Sequence, residues 1–286
     1  MSVAVITDSA SSLPREDLER LGIGVVTLYV SEDGRSVPET DLDLRDLYER
    51  LPGMSVLPTT SQPSPAEFAD AFAGAVDRGD DVLAVLLSSK MSGTFRSAET
   101  GAAMIRERHA GARIELVDSE SNSMQEGFAV LAAGECAKDG GDLSQCAAAA
   151  RATIQRTRFL FAPSSLEYLH RGGRISGAAR LLGSALRIVP ILTATDGSTG
   201  VAGVVRTYTK ALERIAALMR ADASRFGIRR AVVQEIADEE GAARFAAEMI
   251  EPIAGFPVPI VRVPAVVGIH VGPAIGVAYE TIDPMR

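Results

Sequence analysis

Cysteine is scarce in this chain, and its scarcity argues against two kinds of structure. The 286 residues contain two cysteines, Cys136 and Cys146, which form no C-x-x-C pattern. The sequence therefore indicates neither a disulfide framework nor a metal held by cysteines. Both residues lie among alanines in helical stretches, so we expect buried free thiols, as is usual in a reducing cytoplasm.

An excess of positive charge is missing as well. The chain has 29 Lys and Arg against 37 Asp and Glu, a net charge of −8, and no basic run longer than two residues. A surface that binds nucleic acid requires a basic excess or a basic patch. We therefore expect no nucleic-acid partner.

Long apolar runs and several catalytic motifs are also absent. No apolar run is long enough to span a membrane, and the opening MSVAVITDSA has no charged leader region. We therefore expect a cytoplasmic protein without an integral membrane segment. The chain has no Walker A loop, no G-x-S-x-G and no H-E-x-x-H, so we expect no bound metal and no cofactor.

Strand-like and helix-like stretches alternate through the first half of the chain. This alternation predicts an α/β domain over residues 1–157, with a mostly parallel sheet as the middle of three layers. The predicted strands are 3–7, 24–30, 82–87 and 113–117. Predicted helices begin at Ser12, Asp43, Ser64 and Ser92, and two more cover 123–138 and 143–157. Asp33-Gly34 predicts a hairpin turn.

The second half mixes hairpin-like turns with helices, which predicts a second α/β domain over residues 158–286 with a mixed or antiparallel sheet. The predicted strands are 159–163, 189–195, 201–208, 230–236, 259–267 and 275–282, the last closing the sheet. The predicted helices are 165–176 with an end at Gly172-Gly173, 179–187, 209–222 and 239–253. His270 is expected in a loop over residues 268–276.

Small polar residues are concentrated near predicted strand ends, at residues 7–12, 59–64, 88–94 and 118–123. Ligands of parallel sheets bind outside the carboxyl ends of the strands, so these loops are expected to converge on one edge and bind an anion. Ser92 can cap a helix and still offer its hydroxyl, and Gly93 lets a ligand approach the backbone closely. The alternative is that these Ser and Thr residues only cap helices.

Two basic side chains are further candidates for chemistry. Arg174 follows two glycines past a helix end, where it could pair with an anion or lie free on the surface. His270 lies between glycines and a proline. A hydrolase triad could be drawn from Ser92, His270 and either Asp8 or Asp118.

Six stretches of the chain together match one known family. They are ITDSASSLP at 6–14, TTSQPSPAEF at 59–68, LSSKMSGTFRSA at 87–98, VDSESNSMQEG at 117–127, LEYLHRGGRIS at 166–176 and GIHVGPAIG at 268–276. In these residues and their order the chain resembles the DegV family of bacterial fatty-acid-binding proteins. The resemblance implies two α/β domains with one long-chain fatty acid held between them in a buried tunnel.

The resemblance also implies which residues bind the ligand. The implied set is Thr60, Ser61, Ser92, Gly93, Thr94, Arg174 and His270. Thr60 and Ser92 look like carboxylate-binding hydroxyls, and Gly93 or Thr94 would supply a backbone N–H. Arg174 and His270 are similar to the family's polar residues near the carboxylate or its phosphorylated form.

A partner is implied as well. Members of the family present the acyl carboxylate to a dihydroxyacetone-kinase-like, ATP-binding protein, and the acyl phosphate can enter phospholipid synthesis. The resemblance thus implies a non-catalytic, lipid-binding subunit of a fatty acid kinase and not an enzyme. The alternatives are a lipid carrier or sensor without a kinase partner, and a serine hydrolase of lipid esters.

Two positions depart from the family pattern. Ala274 follows Pro273 where the family usually has glycine, and residues 206–211 are less basic than the family's usual stretch there. A weaker basic face affects the expectation of kinase docking more than that of lipid binding.

Overall fold

A computed structural model describes residues 2–182 and 188–285 and divides the chain into two compact units. The first unit comprises Met1–Asp41 and Thr60–Ile154, and the second comprises Leu42–Thr59 and Gln155–Arg286. Residues 42–59 thus group with the later part of the chain, which the sequence did not predict. The predicted division after residue 157 stays a prediction.

Strands and helices alternate along much of the chain. Up to residue 154 they are β1 Val3–Asp8, α1 Arg15–Leu21, β2 Gly24–Val26, β3 Tyr29–Glu32, β4 Arg35–Pro38, α2 Leu44–Arg50, β5 Thr59–Ser61, α3 Pro65–Val76, β6 Asp81–Leu86, α4 Thr94–Arg108, β7 Ile114–Asp118, α5 Ser123–Lys138 and α6 Leu143–Ile154. After it come β8 Thr157–Pro163, α7 Glu167–Arg171, β9 Val189–Thr195, β10 Ser198–Val205, α8 Tyr208–Phe226, β11 Arg230–Ile236, α9 Glu239–Phe245, α10 Glu251–Ala254, β12 Ile260–Arg262, α11 Ala265–Val271 and β13 Ala274–Glu280.

The first unit is built on a parallel sheet with strand order β2-β1-β6-β7. Every residue of β6 is buried, and successive side chains point to opposite faces. Leu83 and Val85 pack with α5 and α6, whereas Val82, Ala84 and Leu86 pack with α3 and α4. Apolar residues on both faces explain the unbroken apolar run, and the three-layer α/β prediction is confirmed.

A second, smaller sheet in the first unit has the order β4-β3-β5. Asp33 and Gly34 connect β3 to β4 with φ angles of 50° and 76°, as a two-residue hairpin turn requires. This turn was predicted. β5 was not predicted as a strand, and the predicted strand 24–30 is in fact divided between β2 and β3.

The second unit has a six-stranded sheet with the order β10-β9-β8-β13-β11-β12. Its described strand pairs are antiparallel except β11 with β12, which is parallel. The predicted mixed sheet is therefore confirmed. The last strand, β13, belongs to this sheet, as predicted, and lies between β8 and β11.

Several predicted element boundaries are also wrong. Ser12 does not cap α1, because Pro14 occupies the N-cap position and Ser12 has a left-handed backbone. The strand predicted over 259–267 ends at Arg262, because Pro264 is the N-cap of α11, in which burial of Val266 and Val271 stabilises the helix. The helix predicted over 143–157 ends at Ile154, and residues from Thr157 form β8. Part of the helix predicted over 179–187 lies outside the described residues, and Ser176–Leu181 is a 3₁₀-helix.

Candidate functional site

The Asp8 carboxylate accepts hydrogen bonds from the loops that follow two strands of the first unit. The residue ends β1 and is fully buried. Its Oδ2 accepts the backbone N–H of Leu87, just past β6, at 2.8 Å, and its Oδ1 accepts the N–H of Ala10 at 2.9 Å. β1 and β6 are adjacent parallel strands, so one carboxyl group fixes both loops at the carboxyl edge of the sheet.

The loop after β7 joins the same edge. The N–H of Ser88 donates to the carbonyl of Ser121 at 2.7 Å, and the hydroxyls of Ser12 and Ser123 lie 2.8 Å apart. The N–H of Ser89 also approaches the Asp118 carboxylate at 3.3 Å. Residues 8–12, 88–94 and 118–123 therefore converge, as predicted, and we call them the polar edge.

Ser92, Gly93 and Thr94 lead into the 15-residue helix α4 within the polar edge. The Ser92 and Thr94 hydroxyls are 2.9 Å apart, and Ser92 Oγ also accepts the Thr94 N–H at 3.3 Å. The N-cap is Gly93, so the prediction that Ser92 occupies that position is wrong by one residue. The first N–H groups of a helix lack intrahelical acceptors, so this turn combines hydroxyls, N–H donors and the positive end of a helix dipole.

Thr60 and Ser61 belong to the edge strand β5 and not to a loop after the parallel sheet. The next residue, Gln62, lies against Gly93: a Cβ built on Gly93 would be 2.4 Å from the Gln62 amide nitrogen. Gly93 thus permits the close approach that its residue type suggested, but to a side chain of the same unit. The end of the TTSQ segment and the SGT segment are brought together in this way.

Two buried carboxyl groups lie behind the polar edge. Burial raises the pKa of Asp8 to about 7, although its two backbone N–H donors act in the opposite direction. Glu126 on α5 is also fully buried, and burial, followed by the nearby Asp8 charge, raises the pKa of Glu126 well above its usual value. Thr7 donates to Glu126 Oε1 at 3.3 Å. At neutral pH Asp8 is therefore only partly ionised, and its surroundings favour the protonated form of Glu126.

Arg174 and His270 lie in the second unit, where they meet around Gly172. A Cβ on Gly172 would be 2.2 Å from His270 Nδ1, and the Arg174 guanidinium donates to the Gly172 carbonyl. Burial, and then the Arg174 charge, lowers the pKa of His270 to about 4. The imidazole is therefore neutral at pH 7, and it lies beside a permanent cation.

His270 does not occupy a loop, as was predicted, but the last turn of α11. Gly272 then ends the helix with a φ of 70°, and β13 begins at Ala274. Ala274 has the ordinary backbone of a strand paired with Pro163 and Ile236. A side chain at position 274 therefore places no strain on the chain at this point.

The two carboxylates considered for a hydrolase triad have other partners. Asp8 accepts the N–H groups of Leu87 and Ala10, and Asp118 accepts those of Ser89 and Glu120. The charged group that shifts the pKa of His270 is the Arg174 guanidinium and not a carboxylate. In the part of the chain that the structure describes, no group of three or more His, Cys, Asp or Glu side chains could hold a metal ion.

A family profile described as "Uncharacterised protein, DegV family" matches residues 2–281. The chain belongs to the DegV family. A DegV domain-containing protein of Clostridium acetobutylicum is 38% identical over 287 residues, with 100% of both chains covered.

Solved DegV structures resemble the chain closely. The Thermus thermophilus DegV family protein, described as binding fatty acid, is 32% identical with a TM-score of 0.89, over 98% of this chain and 100% of its own. Bacillus subtilis DegV, described as a fatty acid binding protein, is 31% identical with a TM-score of 0.86, over 98% and 99%. The resemblance to this family is thus confirmed.

Sequence reasoning did not assign three residues to this candidate site. Gln62 had no signal beyond its position between Ser61 and Pro63. Asp8 was considered only as a triad member, although an acid directly after a buried strand is a typical partner for backbone N–H groups of adjacent loops. Glu126 could have been found, because the apolar run FAVLAA begins two residues later, and an ionisable residue beside such a run indicates burial.

Proposed function

We propose that this chain binds one long-chain fatty acid and holds its carboxylate at the polar edge of the first unit. The observation that carries the proposal is the arrangement of Ser92 and Thr94, whose hydroxyls lie 2.9 Å apart at the start of α4. The fatty acid binding described for the Thermus thermophilus and Bacillus subtilis relatives supports the same ligand.

The head group sets the chemical demands on such a site. Burying an ionised carboxylate is unfavourable unless hydrogen-bond donors replace water. The proposed donors are the hydroxyls of Thr60, Ser61 and Ser92 and a backbone N–H of Gly93 or Thr94. The alkyl chain supplies most of the affinity, at about 0.8 kcal/mol for each buried methylene before ordering costs. The predicted position of the ligand's alkyl chain, in a tunnel between the two domains, stays a prediction.

We assign Arg174 and His270 to the acyl head group or its phosphorylated form. A permanent guanidinium matches a doubly charged acyl phosphate better than a single carboxylate. The neutral imidazole can donate one hydrogen bond without a proton being taken up. An anion beside His270 would raise its pKa above about 4, so binding of a phosphorylated head group should be stronger in mildly acidic solution.

The ligand can be tested first by native mass spectrometry of the freshly purified protein, followed by denaturing extraction. We expect about one fatty acid per chain, or one after addition to delipidated protein. A protein that carries no fatty acid and binds none when it is added would overturn the proposal.

The head-group site can be tested with Ser92→Ala in delipidated protein. The control is Thr207→Ala, which removes a hydroxyl that caps α8 by accepting the Lys210 N–H. We expect the fatty acid Kd to rise about tenfold for Ser92→Ala, the loss of one hydrogen bond to a charged group, and to stay unchanged for Thr207→Ala. Equal affinities in both variants would place the carboxylate elsewhere.

We further propose that the bound carboxylate is presented to a dihydroxyacetone-kinase-like partner, which transfers phosphate from ATP. Incubation of the chain with such a kinase, ATP and fatty acid should then yield acyl phosphate only when all components are present. Lipid binding without acyl phosphate would indicate a carrier or sensor. Labelling of Ser92 by a fluorophosphonate would indicate the hydrolase alternative.

A further inference from the structure

The two cysteines of the chain lie together in one helical hairpin. Cys136 is in the last turn of α5 and Cys146 is in the first half of α6. Cys136 is near enough to Cys146 to affect the pKa of the Cys146 thiol. The connection between the helices also contacts both sulfurs, since Cys146 Sγ is 3.6 Å from the Gly141 carbonyl oxygen and Gly141 packs on Cys136.

Two successive glycines in the connection have different reasons to be glycine. Gly140 has a φ of 86°, which favours glycine whatever the surrounding space. Gly141 does not have a positive φ, but a Cβ there would be 2.4 Å from Cys136 Sγ and 2.9 Å from the Cys136 carbonyl oxygen. The missing side chain at Gly141 therefore leaves room for the Cys136 sulfur beside Cys146.

The two thiols differ in accessibility. Cys136 is half-buried, whereas Cys146 is 0% exposed. Burial, together with the contact with Cys136, raises the pKa of Cys146 to about 12. An oxidant from solution therefore reaches the Cys136 sulfur first, and Cys146 is the thiol next to the oxidised product.

We propose that Cys136 and Cys146 form a peroxide-responsive thiol pair that closes to an internal disulfide. The Cys136 sulfur attacks a hydroperoxide, the O–O bond breaks, and one oxygen leaves as water or alcohol while the other stays as the sulfenic acid. The Cys146 sulfur then attacks that sulfenic sulfur, the S–O bond breaks, and the hydroxyl leaves as water with the Cys146 proton. Both sulfurs are oxidised by one electron each, and the peroxide is reduced by two.

The test uses the full chain, first reduced and then treated with equimolar hydrogen peroxide before alkylation and denaturing mass spectrometry. We expect the wild type to lose two hydrogen atoms, to resist alkylation, and to give a cross-linked peptide that contains Cys136 and Cys146. A thiol reductant should restore two alkylation sites. Wild-type protein that instead gains oxygen atoms, stays fully alkylated or forms cross-linked dimers would overturn the proposal.

The variants Cys136→Ser and Cys146→Ser separate the two roles. In Cys146→Ser the reaction should stop at the sulfenic acid on Cys136, which a dimedone probe traps. Cys136→Ser should react with peroxide more slowly, because the remaining thiol, Cys146, is buried. As an independent measurement, peroxide should raise the thermal unfolding temperature of the wild type, since a cross-link restricts the unfolded chain, and should leave that of the double variant unchanged. An equal response of the wild type and the double variant contradicts the proposed pair.

Discussion

The two buried carboxyl groups behind the polar edge of the first unit differ from the arginine-paired carboxyl groups of the second unit. In the second unit, Glu235 is 2% exposed and pairs with Arg262 at 2.6 Å, and the fully buried Glu280 pairs with Arg230 at 3.0 Å. Behind the polar edge of the first unit, Asp8 and Glu126 have no Lys or Arg partner among the described residues. A guanidinium beside a buried carboxyl favours the charged form, and Glu235, Glu280 and, in the first unit, Asp81 beside Arg113 at 3.0 Å have such a partner. Burial without such a partner raises the pKa, as it does for Asp8 and Glu126.

Strand direction explains where the polar residues collect in each unit. The four strands of the first sheet are parallel, so their carboxyl ends share one edge and the loops that follow them meet. In the second unit antiparallel pairing alternates the strand ends between two edges. Its two candidate residues, Arg174 and His270, are instead brought together by α7, α11 and the glycine between them.

The largest expected effect concerns the pH dependence of stability. A carboxyl whose pKa is raised from 3.8 to about 7 in the folded protein stabilises it fully below pH 4 and loses that contribution as the pH rises to 7. Three pH units correspond to about 4 kcal/mol. We therefore expect Asp8→Asn to gain about this much stability relative to the wild type between pH 4 and pH 7, as measured by urea unfolding. A constant difference across this range would mean that Asp8 is ionised in the folded protein.

The ion pair of the second unit should be sensitive to loss of its cation. Arg262→Met leaves Glu235 buried without its guanidinium, and we expect the free energy of unfolding to fall by about 3 kcal/mol at pH 7. Arg15→Met, which removes the exposed Arg15–Glu19 pair, is the control and should show no measurable change. If Arg262→Met is as stable as the control, water replaces the guanidinium, and the contrast between the units weakens.

The contact between Gly172 and His270 should be disrupted by one added methyl group. Gly172→Ala places a Cβ 2.2 Å from His270 Nδ1, so we expect a loss of about 2 kcal/mol in unfolding free energy and a displaced imidazole. Gly111→Ala is the matched control, because nothing lies within 4 Å of its Cβ. NMR titration of the histidines would also show the His270 pKa rising from about 4 once the ring moves toward water.

The smallest effect is expected at Ser92. Ser92→Ala removes the acceptor of the Thr94 N–H, and loss of such a contact costs about 1 kcal/mol. Thr207→Ala should lose a similar amount, so thermal unfolding of both variants gives the comparison. Unfolding of Ser92→Ala under conditions in which Thr207→Ala stays folded would identify Ser92 as a structural residue.

Local patterns predicted a large part of the fold. The apolar run of β6, the Ser64–Glu67 capping box and the Asp33-Gly34 turn each depend on residues close together in the chain, and each is observed. The convergence of three polar loops also followed from a local pattern combined with the geometry of parallel strands. The helix α11 could not be predicted in this way, because its valines favour strand locally and are held in a helix by burial and by Pro264.

The sequence by itself determined most of the element order, the parallel sheet of the first unit, the mixed sheet of the second unit and, through six short stretches, the family. Only the tertiary structure decided which distant residues meet: Gln62 beside Gly93, Asp8 on the Leu87 N–H, and His270 against Gly172. Those contacts depend on how sheets and helices pack, and a polar residue carries no local signal of the partner that packing will bring to it. The pKa values of Asp8 and His270 were beyond sequence reasoning for the same reason, since burial sets both.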